Sequence, residues 1–207
     1  MPTIFEEEGI KRRGSAVRRE QIAAAAAKLI AELGGEYVTI KNIALEIGLS
    51  EAAIYRHFPN KRAIYSYMIG YAEKVLLADL SSEKGRDASV PADTDSWVKR
   101  HLSNVVRRRG IFFQVFTEVI SMGDEQLNKE AFRAINHYIA HIGQLIRACS
   151  YSRYFKRNGD PFSLAFIFYS LLQFLVNTWI LSGYSYNLEN RFNHIWFKCG
   201  IAQQGPK

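Results

Sequence analysis

The chain reads as an all-α protein of about nine helices, with a three-helix head at the N-terminal end and a helical body behind it. Three observations carry this. Apolar residues recur at helical spacing and nowhere alternate as a strand would. Cap and turn residues stand where such runs begin and end: Gly34-Gly35, Asn60, Asp124 and Pro161. Residues 39–61, TIKNIALEIGLSEAAIYRHFPNK, pack two very short helices around a single glycine.

The segment from Ile10 to Arg19 holds Lys11, Arg12, Arg13, Arg18 and Arg19 around Gly14, and is expected to be a flexible basic arm. Helix one is expected from about Ala16 to Leu33, apolar at Ile22, Ala26, Leu29 and Leu33, with Ala23–Ala27 permitting close packing. Thr39 then caps a short helix carrying Ile40, Ile43, Ala44 and Ile47, which stops at Gly48, where a tight turn wants positive φ. Ser50 caps the next helix, with Ala53, Ile54 and Phe58 inward and Glu51, Ala52, Tyr55, Arg56 and His57 outward. Asn60, after Pro59, caps a long fourth helix reaching about Glu83, and Ser81 to Asp95 is a loop rich in Ser, Gly, Asp and Pro. Further helices are expected at about Ser96–Arg109, Gly110–Ser121, Asp124–Tyr151, Pro161–Ser182 and Leu188–Gln203.

Two short helices about a glycine, followed by exposed Tyr55, Arg56, His57 and Lys61, form a helix-turn-helix built to lay its second helix in a major groove. A purely structural corner has no reason to expose a phenol, a guanidinium, an imidazole and an ammonium together, whereas groups that reach phosphates do. The pattern Thr39, Ile43-Ala44, Gly48-Leu49-Ser50, Tyr55-Arg56-His57-Phe58 and Lys61 closely resembles the DNA-binding domain of TetR-type transcriptional regulators. The resemblance spans about residues 15–75 and implies a homodimer with a DNA-binding head and a ligand-sensing body. It also implies backbone contacts from Thr39, Tyr55, His57 and Lys61 and a recognition helix from Ser50 to Arg56. Lys41 joins the phosphate-facing set, and Ser50, Glu51, Ala52 and Arg56 are expected to read bases.

The expected division is residues 1–62 for DNA binding and 63–207 for effector binding and dimerisation. The function expected is a sequence-specific repressor, released from a roughly palindromic operator on double-stranded DNA by a small, mainly hydrophobic effector. The stretch SEAAIYRHFPNK is also similar to that of nucleoid-occlusion factors, so a DNA-associated protein working through a protein partner is the alternative.

Charge supports a polyanion partner. The net charge is +7, and between Gly9 and Arg62 ten Lys or Arg face five Asp or Glu, a net +5. No nucleophile–base pair, metal spacing or phosphate loop stands out, so neither an enzyme nor a bound metal or cofactor is expected. Met1 to Gly9 is acidic, unlike a secretion leader, and Cys149 and Cys199 read as buried free thiols in a cytoplasmic, nucleoid-associated protein. Phe162 to Leu181 carries no charge for 20 residues. Ser163, Ser170, Gln173, Asn177 and Thr178 interrupt it, so a helix buried on nearly all sides is expected, not a membrane span.

In the body, an effector pocket is expected from Phe112, Phe116, Phe132, His137, Tyr138, Phe166, Tyr169, Gln173 and Asn177. A four-helix dimer interface is expected from the last two helices, with Tyr169, Leu172, Val176, Trp179, Ile195 and Trp196 at the seam. The polar stripe Ser170, Gln173, Asn177 faces either ligand or partner; both readings stand. His137 and His141 read as pocket or surface residues despite metal-like spacing, and Arg107-Arg108-Arg109 as a solvated helix end offsetting the helix dipole.

Overall fold

A computed structural model describes residues 4–81, 94–150 and 160–198. Among them lie nine α-helices and no strand: α1 (Ile4–Leu33), α2 (Ile40–Glu46), α3 (Glu51–Tyr55), α4 (Lys61–Ser81), α5 (Thr94–Arg107), α6 (Ile111–Met122), α7 (Glu125–Ser150), α8 (Pro161–Leu181) and α9 (Leu188–Asn193). A 3-10 turn at Gly35–Tyr37 and a π-helical segment at His194–Lys198 complete the order. The chain divides into two compact units, Met1–Tyr71 with Gln114–Ala131, and Ala72–Phe113 with Phe132–Lys207.

The expected caps form. Thr39 accepts from Asn42 N at 3.1 Å, Ser50 from Ala53 N at 3.2 Å and Asn60 from Ala63 N at 2.9 Å. Asp124 accepts from Leu127 N at 2.9 Å and Asp160, just before Pro161, from Ser163 N at 2.9 Å. Each such cap satisfies an amide that the helix leaves without a partner, typically worth about 1 kcal/mol.

Two helix boundaries differ from expectation. α1 begins at Ile4, so the basic segment Ile10–Arg19 is helical rather than a flexible arm. α9 ends at Asn193, and its expected continuation becomes the π-helical segment. The loop expected from Ser81 lies almost wholly outside the described residues, as do Cys199 and the side chain of Cys149.

In the first unit, Ile22, Ala26, Leu29, Ile43, Ala44, Ile54, Phe58, Ile64 and Met68 make one buried core. The Arg19 guanidinium lies 4.7 Å from the Phe58 ring centroid and 4.8 Å from that of Tyr67, so a cation closes this core from outside. Leu33, expected on the apolar face, is exposed where α1 ends.

The second unit is organised by α8. Ala165, Phe168, Leu172, Leu175, Val176 and Trp179 form its inner face, and Phe168 packs against Trp97, Phe192 and Trp196 at ring distances of 5.3, 4.9 and 5.1 Å. Burying one such ring stabilises by about 1.5–3 kcal/mol. Gly110, at φ +66°, lets the α5–α6 corner approach α8 so closely that a Cβ there would stand 2.5 Å from Val176. At the same corner Arg108 pairs with the buried carboxylate of Asp79, which also accepts from Asn104 at 3.0 Å. The triple arginine is therefore more than a solvated helix end: Arg108 neutralises a buried charge, and the Arg109 guanidinium sits 4.4 Å from the Tyr184 ring centroid.

α8 is the one helix among the described residues long and apolar enough to cross a membrane, yet only 33% of its most apolar window is buried. It is not covered on nearly all sides. The face opposite the core leaves Phe162, Phe166, Ile167, Phe174 and Leu181 exposed, the last at 86%. This corrects the expected seam. Leu172, Val176 and Trp196 are fully enclosed within the second unit and Trp179 nearly so, so none of them can supply much surface to another molecule.

Candidate nucleic-acid interface

The turn between α2 and α3 holds the site in shape. Gly48 takes φ +65°, its amide donates to Leu45 O at 3.3 Å, and the Leu49 amide donates to Ala44 O at 2.8 Å. This is the paired-bond C-terminal motif that a left-handed glycine permits. Asn42 Nδ2 donates to Tyr37 O at 2.8 Å, tying α2 to the preceding turn. Ile54 and Phe58 anchor α3 from beneath, both fully buried.

Anchoring one face of α3 turns the other outward. Thr39, Lys41, Ser50, Glu51, Ala52, Tyr55 and Arg56 are exposed, and His57 and Lys61 are half-buried. All nine expected DNA-binding residues thus lie in the first unit and reach solvent. Thr39 and Ser50 accept backbone bonds with their oxygens, which leaves each hydroxyl hydrogen to donate to a phosphate. Lys61 is partly engaged: Nζ donates to Gly35 O at 3.4 Å and lies 5.5 Å from the Tyr65 ring centroid. Two other cations near this region are paired, Lys28 with Glu46 at 2.6 Å and Arg62 with Asp124 at 3.4 Å. An open groove of about 370 Å³ runs between α1 and α2, lined by Arg18, Gln21, Lys28, Glu46 and Ile47.

The nine residues of the expected effector lining divide between the two units. Phe116 belongs to the core of the first unit, whereas the other eight residues belong to the second. Phe132 is 71% exposed and Phe166 62% exposed, so both face solvent, not an interior. His137 is also exposed; its Nδ1 meets Glu73 Oε1 at 2.7 Å, while His141 Nε2 meets Ser81 Oγ at 3.1 Å. No group of three metal-binding side chains occurs among the described residues. Three expected lining residues do form a chain of bonds along α8: Tyr169 OH donates to Gln173 Oε1 at 3.2 Å, and Gln173 Nε2 to Asn177 Oδ1 at 2.9 Å. Burial pushes the Tyr169 phenol up to about 12. Ser170 stays exposed.

The sequence reading missed the most buried polar group of this unit. His101 is fully enclosed, and its Nε2 lies 2.6 Å from the hydroxyl of buried Tyr138. Burial first, then the charges of Arg108 and Arg100, holds the imidazole down to about 3, so it is neutral. Burial raises the Tyr138 phenol well above its usual range. The only signal in the sequence was Trp97 four residues before His101, which places both on one helix face.

Residues 22–68 match the family model described as bacterial regulatory proteins, tetR family. The chain is similar to the nucleoid occlusion factor SlmA of Shewanella halifaxensis (strain HAW-EB4), 24% identical over 179 residues, 86% of this chain and 91% of the relative. Its fold is similar to that of the fatty acid degradation regulator FadR from Bacillus halodurans, with TM-score 0.72 at 18% identity, covering 86% of this chain and 91% of the other. It is also similar to the transcriptional regulator FadR from Bacillus subtilis solved in complex with stearoyl-CoA, with TM-score 0.65 at 18% identity, covering 85% and 94%.

Proposed function

We propose that this TetR-type chain is a dimeric DNA-binding repressor, released from its operator by a small, mainly hydrophobic effector. The observation that carries the reading is the outward set Glu51, Ala52, Tyr55 and Arg56, held on a helix locked to α2 through Gly48. Residues 1–62 bind DNA and residues 63–207 bind effector and partner. Thr39, Lys41, Tyr55, His57 and Lys61 engage phosphates; Ser50, Glu51, Ala52 and Arg56 read base edges. Pairing through the bare apolar face of α8, at Phe166, Ile167, Phe174 and Leu181, gives a two-fold dimer and a palindromic site. Around Phe112, Tyr138, Tyr169, Gln173 and Asn177 the second unit takes the effector, and α4, which supplies residues to both units, carries the coupling. Such coupling is typically about 1–3 kcal/mol. The stearoyl-CoA complex of the Bacillus subtilis regulator favours an apolar ligand class. The work is that of a cytoplasmic, nucleoid-associated regulator and not an enzyme.

A second reading is favoured by the likeness to nucleoid occlusion factor SlmA over most of the chain: DNA association that acts through a protein partner. Mapping the DNA bound by the chain in its host separates the two. One or a few promoter sites, released by an apolar compound, fit the repressor. Sites scattered along a chromosome, indifferent to small molecules, overturn it in favour of the second reading.

A further inference from the structure

We propose that Trp97, His101 and Trp196 form the head-group end of a binding site for an apolar carboxylic acid in the second unit. This rests on the effector reading above and names the ligand class. Trp97 and His101 stand four apart on α5, and both rings meet Phe168, at centroid distances of 5.3 and 6.4 Å. Trp196 meets the same ring from the π-helical segment, at 5.1 Å and nearly perpendicular.

All three are at least 98% enclosed, and each carries a ring nitrogen with no hydrogen-bond partner among the described residues: Trp97 Nε1, Trp196 Nε1 and His101 Nδ1. The tautomer is assigned with Tyr138 as the donor. Tyr138 keeps its proton, and donating it to Nε2 puts the imidazole hydrogen on Nδ1. The result is three N–H donors without a partner among the described residues, on rings that each meet Phe168. Buried donors ordinarily have partners, and the group that satisfies several donors with none of its own is a carboxylate.

Charge points the same way. Arg100 on the same helix and Arg108 just past its end act on His101; from α4, Asp79 acts on Tyr138 but is neutralised by Arg108. The remaining walls, Phe168 and Phe192, are apolar, so the body of the ligand is apolar too.

The test uses the full chain at neutral pH, titrated with octanoate and benzoate and, in parallel, with octanol and benzyl alcohol. The two acids are expected to bind saturably and at least about tenfold tighter than their alcohols. In nitrogen-resolved NMR, the indole N–H signals of Trp97 and Trp196 shift while that of Trp179 stays. Trp97→Phe and Trp196→Phe keep the ring and remove the donor, weakening the acids by about tenfold or more each. Equal binding of acid and alcohol, no saturable binding of either acid, or unmoved Trp97 and Trp196 signals overturns the proposal. DNA binding is read separately. Acid binding that leaves operator affinity unchanged overturns the effector reading and leaves the site standing; release by an uncharged compound with no acid binding does the reverse.

Discussion

Acidification from pH 7 to pH 5 is expected to cost the folded chain about 2 kcal/mol through one buried side chain, His101. Its imidazole titrates at 6.5 when unperturbed and at about 3 in the folded chain. Between those values the unfolded chain binds a proton that the folded chain refuses, so stability falls as pH falls. Each pH unit below 6.5 removes about 1.4 kcal/mol, which gives about 2 kcal/mol at pH 5, and the loss runs on towards pH 3. For a chain of this size that is about 4–8 °C in Tm. Urea unfolding at pH 7.5, 6 and 5, for the native chain and for His101→Gln, reads the effect directly. His141, whose pKa is lowered by burial and then by His137, titrates in both proteins and cancels in the difference. If the two stability–pH curves ran parallel, His101 would not be the buried neutral group described here, and the tautomer assigned through Tyr138 would go with it.

Four other outcomes are expected. Arg56→Ala should relax discrimination at one operator base, by about 1–3 kcal/mol, in competition against a set of single-base variants; a uniform loss would make Arg56 a phosphate contact. Gly48→Ala should destabilise by about 1–2 kcal/mol in urea unfolding, since a Cβ has room at Gly48 and only its φ of +65° resists. Gly70→Ala in α4, where a Cβ meets nothing within 4 Å, should instead stabilise by about 0.5–1 kcal/mol in the same measurement. Phe174→Asp, on the bare face of α8, should shift the sedimentation profile from dimer to monomer without changing the circular dichroism of the protomer.

The helix-turn-helix was legible because everything that makes it is local. Two caps, a positive-φ glycine and four buried apolar side chains fall within 23 residues and act across one turn of chain. The sidedness of α8 was not legible. A helix apolar around its whole circumference has no period from which to read a face, so Leu172 and Phe174 look alike although the first is core and the second is 64% exposed. Aromatic content likewise locates no cavity: Phe132 and Phe166 point outward, and the enclosed cluster formed around Phe168. His101 is hidden in the sequence because nearby Arg100 and Ser103 read as a solvated helix, whereas packing against Phe168 and Tyr138 buries it. The true start of α1 is hidden because Gly14 within a basic run resembles a break.

α4 has a mechanical consequence. Its 21 residues run without a proline, and the helix is therefore a rod about 30 Å long. A tilt of about 5° about one end moves the other by about 2.5 Å, close to the rise of about 3.4 Å between base pairs in a duplex. Gly70 stands near the middle, close to the division between the two units, and a glycine is the residue that stiffens a helix least. Under the proposed function a few degrees of lean in α4 would suffice, and a glycine at mid-span would set how much of that lean is lost to bending.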